Sequence, residues 1–167
     1  MKKVLLAFVF ILSACAGVYT TVEILPDRIR TVKVETFTNK TVLYGVEDRL
    51  YQKIVDKFLA DGRLIPQKEN ADAHLIGEIK KYELIPLSFD ENSVVEQYKL
   101  WLEAGFKFID AQTGKVLYEE EYIPIDVRFH PPGSTVPGIQ IQTETEAQEE
   151  AIEELASEIV YNILRYK

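Results

Sequence analysis

The chain has 167 residues, a length typical of one domain, and a formal net charge of −8 at pH 7. This acidic balance argues against non-specific binding to nucleic acid or to an anionic membrane surface. A single cysteine excludes a framework of disulfides within the chain.

The first fourteen residues are typical of a bacterial lipoprotein signal peptide. Lys2 and Lys3 form a short basic region, and the apolar run over residues 4–12 is far shorter than the roughly 20 residues that span a bilayer. Small residues then precede Cys15, as in a lipobox. We expect residues 1–14 to be removed and Cys15 to be lipidated on sulfur and acylated at its new N-terminus. The alternative is an ordinary secretory signal.

The residues after Cys15 indicate where such a protein would lie. A three-chain anchor is nearly permanent, because each buried methylene contributes about 0.8 kcal/mol. Ala16 stands where an aspartate would resemble an inner-membrane retention signal, so we expect the outer membrane. Residues 15–27 then form a short tether, and residues 28–167 are expected to form a single domain that faces the periplasm.

The segment after the tether predicts a strand, a helix and a second strand. Residues 28–37 carry the first strand pattern. Apolar residues at helical spacing, with acidic residues in the first turn, predict a helix over residues 46–60. Residues 71–84 predict the second strand, in which Gly77 indicates a bulge or a close approach of another segment.

The most regular strand pattern covers residues 98–108. Its even positions are mostly apolar and its odd positions mostly polar, which predicts a half-buried strand because successive side chains point to opposite faces. A fourth strand is predicted over residues 115–129. Pairing Phe108 with Leu117 places apolar residues opposite glutamates, which a bulge near Glu120 would repair. The sequence leaves the register open.

A loop rich in proline and glycine over residues 130–138 precedes the second helix. This helix is predicted to begin at a capping box, either Thr145 with Gln148 or Thr143 with Glu146. The predicted element order is β-α-β-β-β-α. Because both helices have an apolar stripe to bury, the predicted fold is α+β, with two helices packed on one face of a four-stranded mixed β-sheet.

The open face of this sheet is the candidate functional surface. Lys99, Trp101 and Lys107 all point to it from the third strand. An indole between two amines suits an amphipathic anionic ligand, with the ring on acyl or sugar surface and the amines on phosphate, and it suits a protein partner equally. The alternative is a solvated face on which Lys99 only pairs with Asp126 across the strands.

Signals for catalysis are weak. Asp72 and His74 have a metal-like spacing on one side of a strand, but no further ligand of matching type lies nearby in the sequence. The sequence has no phosphate-binding glycine loop, nucleophile elbow or H-E-x-x-H motif. We therefore expect a protein that is not an enzyme and holds neither a metal nor a cofactor.

An ordered set of segments resembles the LptE family, the lipopolysaccharide-assembly lipoproteins. The segments are the lipobox, residues 30–41, Tyr44-Gly45-Val46-Glu47, Ala71-Asp72-Ala73, Glu96-Gln97-Tyr98, Thr113-Gly114-Lys115 and the end of the last helix. The resemblance implies two helices on a four-stranded sheet. It also implies a non-catalytic protein that sits inside the large outer-membrane β-barrel of the lipopolysaccharide translocon, helps the barrel assemble, plugs it and binds lipopolysaccharide. No ligand-contact residue of the family falls in the matched segments.

The alternative function is that of a periplasm-facing lipoprotein regulator that binds and activates a cell-wall synthase. Such regulators share the strand-loop-helix opening. Here the tether has only about a dozen residues, which is too short to cross the periplasm. The sequence therefore favours the translocon subunit.

Overall fold

The structure, a computed structural model, describes residues 25–165. Two strands precede the first helix and four lie between the helices. The strands are β1 (Thr31–Val34), β2 (Thr38–Asn39), β3 (Ile65–Pro66), β4 (Ala73–Phe89), β5 (Val95–Asp110) and β6 (Val116–Phe129), and the helices are α1 (Val46–Asp61) and α2 (Glu144–Leu164).

All six strands belong to one mixed sheet. Its order is β3-β1-β4-β5-β6, and β2 also pairs with β4. Both β1 and β2 run parallel to β4, whereas β4, β5 and β6 form an antiparallel meander. The predicted α+β class, with two helices and a mixed sheet, is confirmed.

The predicted strand count of four is wrong, since the sheet has six strands. The first predicted strand, residues 28–37, contains only β1, and β2 lies just beyond its end. One extra residue separates the pair Val34–Leu75 from the pair Thr38–Glu78. The remaining strand, β3, has only two residues. A strand of that length is too short to give a periodic pattern in the sequence.

The interruption between β1 and β2 turns Phe37 into the core. Its ring lies over Gly77, where an added Cβ would be 2.2 Å from Phe37 Cε1. A side chain at residue 77 would therefore occupy the space of the ring. Gly77 marks a close approach, which is one of the two roles predicted for it.

The core lies between the helices and one face of the sheet. The predicted inner face of β5 is buried from Leu100 to Phe108, and the apolar stripes of both helices are buried with it. The buried members of β5 and α1 are Leu100, Leu102, Ala104, Phe106, Phe108, Val46, Leu50, Ile54 and Phe58. Burial of these side chains supplies most of the driving force for this packing.

The register of β5 and β6 differs from the pairing considered in the sequence. Phe108 pairs with Tyr118 rather than with Leu117. Beside Gly105, β6 contributes one more residue than β5, which is a β-bulge. The bulge lies next to Glu120, where the sequence predicts one.

The second helix begins at the earlier of the two predicted capping boxes. The Thr143 hydroxyl accepts a hydrogen bond from the Glu146 backbone N–H, and Glu146 Oε2 accepts one from the Thr143 N–H at 2.7 Å. Backbone donors at the helix start are satisfied in this way. The two helices are also joined by ion pairs, with Arg49 2.8 Å from Glu149 and Lys57 2.5 Å from Glu153.

Two buried carboxylates hold loops at opposite ends of β5. Asp110 accepts a hydrogen bond from Arg28, which fixes the start of the described chain to the β5–β6 turn. Arg28 lowers the pKa of Asp110 to about 2, assisted by backbone N–H donors in the turn. Glu96 accepts from Ser134 and Thr135 and so ties the proline-rich loop to the sheet. These contacts lower the pKa of Glu96.

Candidate ligand-binding face

The face of the sheet opposite the helices, called here the open face, is defined by the odd positions of β5. Lys99, Trp101, Glu103 and Lys107 alternate with the buried positions and so point away from the core. Their neighbours from β4 and β6 share the same orientation, because the strands are paired in register. The structure therefore places all three predicted contact residues on one face.

Lys99 and Trp101 form a contact pair near the distal end of β5, the end far from Asp110. The Lys99 ammonium lies 4.8 Å from the centroid of the Trp101 ring, within the range of a cation–π interaction. This contact orients the indole and the amine together. A ligand at this point would meet a flat apolar ring and a positive charge side by side.

Arg128 is a third member of this group that the sequence did not indicate. It lies directly across the strand pair from Lys99, and Asp126 lies across from Trp101. The alternative, in which Lys99 pairs with Asp126 directly across the strands, is therefore wrong in register by two residues. Like charges directly opposite each other on a sheet are destabilising. Arg128 also has an acidic neighbour, since its Nε is 3.8 Å from Asp126 Oδ1. Lys99 and Arg128 thus present two adjacent cations beside an aromatic ring.

Lys107 is not brought close to this group. It lies six residues from Trp101 along an extended strand, which corresponds to about 20 Å. Its amine is 2.7 Å from Glu119 Oε1, and this hydrogen bond raises the pKa of Lys107. Lys107 therefore belongs to a separate part of the open face and already has a counterion.

A groove of about 420 Å³ lies on the open face in the part that contains Lys107. Gly105 forms its floor, and the Lys80 amine donates a hydrogen bond to the Glu121 carbonyl oxygen at 2.6 Å. The glutamates in its lining outnumber the two lysines. The lining residues are Thr38, Ile76, Gly77, Glu78, Lys80, Gly105, Phe106, Lys107, Glu119, Glu120 and Glu121. An anionic group is disfavoured in this groove, and the Lys99 end of the face suits it better.

The negative charge of the chain is concentrated on the helical side. Helix α2 contains seven glutamates and no lysine or arginine within Glu144–Leu164. Near Trp101, by contrast, the open face carries equal numbers of basic and acidic side chains: Lys81, Lys99, Arg128, Glu83, Glu103 and Asp126. An anionic ligand therefore meets less repulsion on this face than on the helices.

The two histidines and Asp72 have structural contacts. Asp72 Oδ2 accepts hydrogen bonds from the backbone N–H groups of Arg30 and Thr31, each at 2.9 Å, which lower its pKa. His74 Nδ1 is 3.6 Å from a Glu35 oxygen, and His130 Nδ1 donates to the Glu96 carbonyl at 2.6 Å. Within residues 25–165, no three histidine or acidic side chains are placed to hold a metal ion.

The predicted lipidation site, Cys15, lies outside the described residues, as does the signal peptide. Among residues 25–165, neither helix is long and apolar enough to cross a membrane.

Comparisons with known proteins give one family and several similar folds. A sequence model described as LptE, lipopolysaccharide-assembly, matches residues 29–166. No curated protein sequence matches the chain.

Solved structures of low sequence identity share the fold. The PelC dodecamer of Paraburkholderia phytofirmans has a TM-score of 0.54 at 14% identity, covering 86% of this chain and 94% of that one. A minor lipoprotein of Acinetobacter baumannii has a TM-score of 0.52 at 18% identity, covering 81% and 92%. A DUF330 protein of Xanthomonas campestris has a TM-score of 0.53 at 14% identity, covering 78% and 81%.

Proposed function

Because this chain belongs to the LptE, lipopolysaccharide-assembly, family, we propose that it is a lipoprotein subunit of the lipopolysaccharide translocon of the outer membrane. In this role it assists assembly of a large outer-membrane β-barrel protein, plugs the barrel and binds lipopolysaccharide. The observation that carries the proposal is the family match, which spans residues 29–166 and thus the whole described fold except its first four residues. The function is one of binding, without catalysis.

The proposed attachment to the outer membrane rests on Cys15. A lipidated cysteine at this position would hold the protein at the periplasmic face of the membrane or inside the barrel. Ala16 after the cysteine supports the outer membrane as its location. The short tether supports a partner in the same membrane as the anchor.

Lipopolysaccharide is proposed to contact the Lys99 end of the open face. The amines and guanidinium of Lys99 and Arg128 suit the phosphates of lipid A, and the Trp101 ring suits its sugar or acyl surface. Lys107 is a second candidate contact, which would have to exchange Glu119 for the ligand. The first group is the stronger candidate because its cations are adjacent.

Purification of the lipidated protein from solubilised membranes tests the proposed partner. We expect a large β-barrel protein to co-purify with it. Recovery of an inner-membrane cell-wall synthase in place of a barrel would support the regulator described above and contradict the translocon subunit. Recovery of the purified protein without either partner would also count against the proposal.

Binding of purified lipopolysaccharide to the Cys15→Ala chain tests the proposed contacts. Replacing both Lys99 and Arg128 by glutamine is expected to weaken binding about tenfold or more, since each charge-assisted hydrogen bond contributes about 1.5–3 kcal/mol. Lys53→Gln/Lys57→Gln, which removes two positive charges from α1, is the matched control and should have little effect. Equal losses in both variants would mean that only net charge matters and would contradict the site.

A further inference from the structure

The loop between β2 and α1 presents two apolar side chains to solvent. This segment, Thr41 to Gly45, is called here the display loop. Val42 is 80% exposed and Tyr44 is 94% exposed, whereas Leu43 between them packs against the core. Neither exposed side chain contributes burial to the folded chain.

The display loop is held in one conformation by Asn39. Its Nδ2 donates to the Leu43 carbonyl at 2.8 Å and to Glu47 Oε2 at 2.9 Å. Its Oδ1 accepts from the Thr41 N–H and hydroxyl, both at 2.8 Å. The Thr41 hydroxyl in turn accepts from the Leu43 N–H at 3.2 Å. The directions of Val42 and Tyr44 are therefore fixed by a hydrogen-bonded loop.

A fixed loop with an exposed aromatic residue has the properties of a binding anchor. Scattered apolar residues on a surface are normal, but here two of them project from one ordered turn. Tyrosine is enriched among the residues that dominate binding energies, and an anchor already in its bound shape loses little conformational entropy on binding. The loop therefore already has a fixed conformation in which its exposed side chains can enter a pocket on a partner.

The charge beside the loop indicates the chemistry of that partner. Asp48, one turn from Tyr44, is exposed and has no ion pair or hydrogen bond of its side chain among the described residues. A lysine or arginine on the partner would complement it.

The position of the loop separates it from the start of the described chain. Arg28 contacts Asp110, and Asp110 pairs with Ala73, the residue of β4 opposite Val32 near the start of β1. From Val32 to Asn39 the strands β1 and β2 follow β4 from Ala73 to Ile79, which is about 20 Å. The display loop follows directly, so it lies far from Arg28.

We propose that the display loop is a docking element for the barrel protein of the translocon, with Val42 and Tyr44 entering an apolar pocket that carries a lysine or arginine opposite Asp48. This inference rests on the proposed function and names the surface through which the two proteins associate. It assigns the loop a role separate from the open face, whose candidate ligand is lipopolysaccharide.

Co-purification of the barrel with full-length lipidated variants tests this docking. The double variant Val42→Ser/Tyr44→Ser is expected to recover about tenfold less barrel than the unmodified chain. Tyr161→Ser is the matched control, because Tyr161 is 60% exposed on α2, and it should recover the normal amount. Asp48→Lys should also lower recovery. Because the replaced side chains are exposed, thermal unfolding should show that all variants remain folded.

The outcomes separate the inference from the proposed function. If the unmodified chain recovers no barrel, the proposed function fails and the inference fails with it. If the unmodified chain and the double variant recover the barrel equally, only the docking role of the loop is overturned. If Tyr161→Ser lowers the recovery of the barrel as much as the double variant does, the docking role is overturned as well. Binding of the Cys15→Ala chain to phosphatidylethanolamine–phosphatidylglycerol vesicles that disappears in the double variant would assign the loop to a membrane and overturn the proposal.

Discussion

The Lys80 amine lies 2.6 Å from the carbonyl oxygen of Glu121, so β4 is linked to β6 across the strand between them. Gly105 on β5 lies below this link, and it has no side chain to obstruct it. Register shifts in both neighbouring strands flank the same point, at Lys80 on β4 and beside Glu121 on β6. The sheet is thus irregular on both sides of one glycine, and bulges of this kind increase its local bend.

Gly105→Ala is predicted to destabilise the protein by about 1–3 kcal/mol, the usual cost of overpacking. An added Cβ would lie 2.7 Å from the Glu121 carbonyl oxygen, which belongs to backbone and has little freedom to move. Urea unfolding followed by circular dichroism measures the loss. Glu103→Ala, on the same face of β5, is the control and should change stability by less than about 0.5 kcal/mol. An unchanged midpoint for Gly105→Ala would show that the bulge shifts freely.

Leu102→Ala is predicted to cost about 2–5 kcal/mol in the free energy of unfolding. Leu102 is only 1% exposed and lies in the core between β5 and the helices, so its truncation leaves a cavity. The same denaturant experiment measures the loss. A loss below about 0.5 kcal/mol would mean that the two faces of β5 are assigned the wrong way round.

The Arg28–Asp110 contact predicts a defined dependence of stability on pH. Because the pKa of folded Asp110 is about 2 and the usual value is 3.8, the contact stabilises the fold above about pH 4. This contribution is lost as the pH falls toward 2, where Asp110 becomes protonated. Asp110→Asn should therefore be less stable than the unmodified chain at pH 6, and the difference should shrink at pH 2.5.

Urea unfolding at the two pH values checks this prediction. The matched control is Asp56→Asn, because Asp56 is exposed on α1. It should change stability little at either pH. A difference for Asp110→Asn that is the same at pH 6 and pH 2.5 would show that the contact does not depend on the charge of the carboxylate.

Cys15→Ala is predicted to release the protein from membranes while leaving the domain folded. The expected acyl chains supply the affinity for the bilayer, and neither described helix is able to replace them. Cell fractionation followed by immunoblotting measures the distribution. If the variant stays in the membrane fraction of cells that lack the proposed barrel partner, Cys15 is not the anchor.

The central strand shows what the sequence can predict. From Tyr98 to Phe108 the alternation separates a buried face from an open one, because period two is a local property of an extended chain. The capping box of α2 is also a local signal, and it is found in the structure. The separation of Lys107 from Trp101 also follows from their positions along one strand, but the sequence prediction grouped the two residues in one candidate site.

Features that depend on contacts between distant segments could not be predicted. Arg128 lies opposite Lys99 only because a bulge shifts the register of β6, and one residue more or less would change the pairing. The two-residue strand β3 forms because β1 offers it a partner. The exposure of Tyr44 depends on the hydrogen bonds of Asn39, which the sequence alone does not reveal.

The proposed function requires that the protein supports transport of lipopolysaccharide to the cell surface. In the bacterium that produces this protein, depletion of the protein should lower the lipopolysaccharide exposed on intact cells, measured by antibody labelling against the total extracted from the same cells. We predict that surface lipopolysaccharide falls while total lipopolysaccharide does not, and that re-expression of the unmodified chain restores it. Normal surface labelling in fully depleted cells would contradict the central claim.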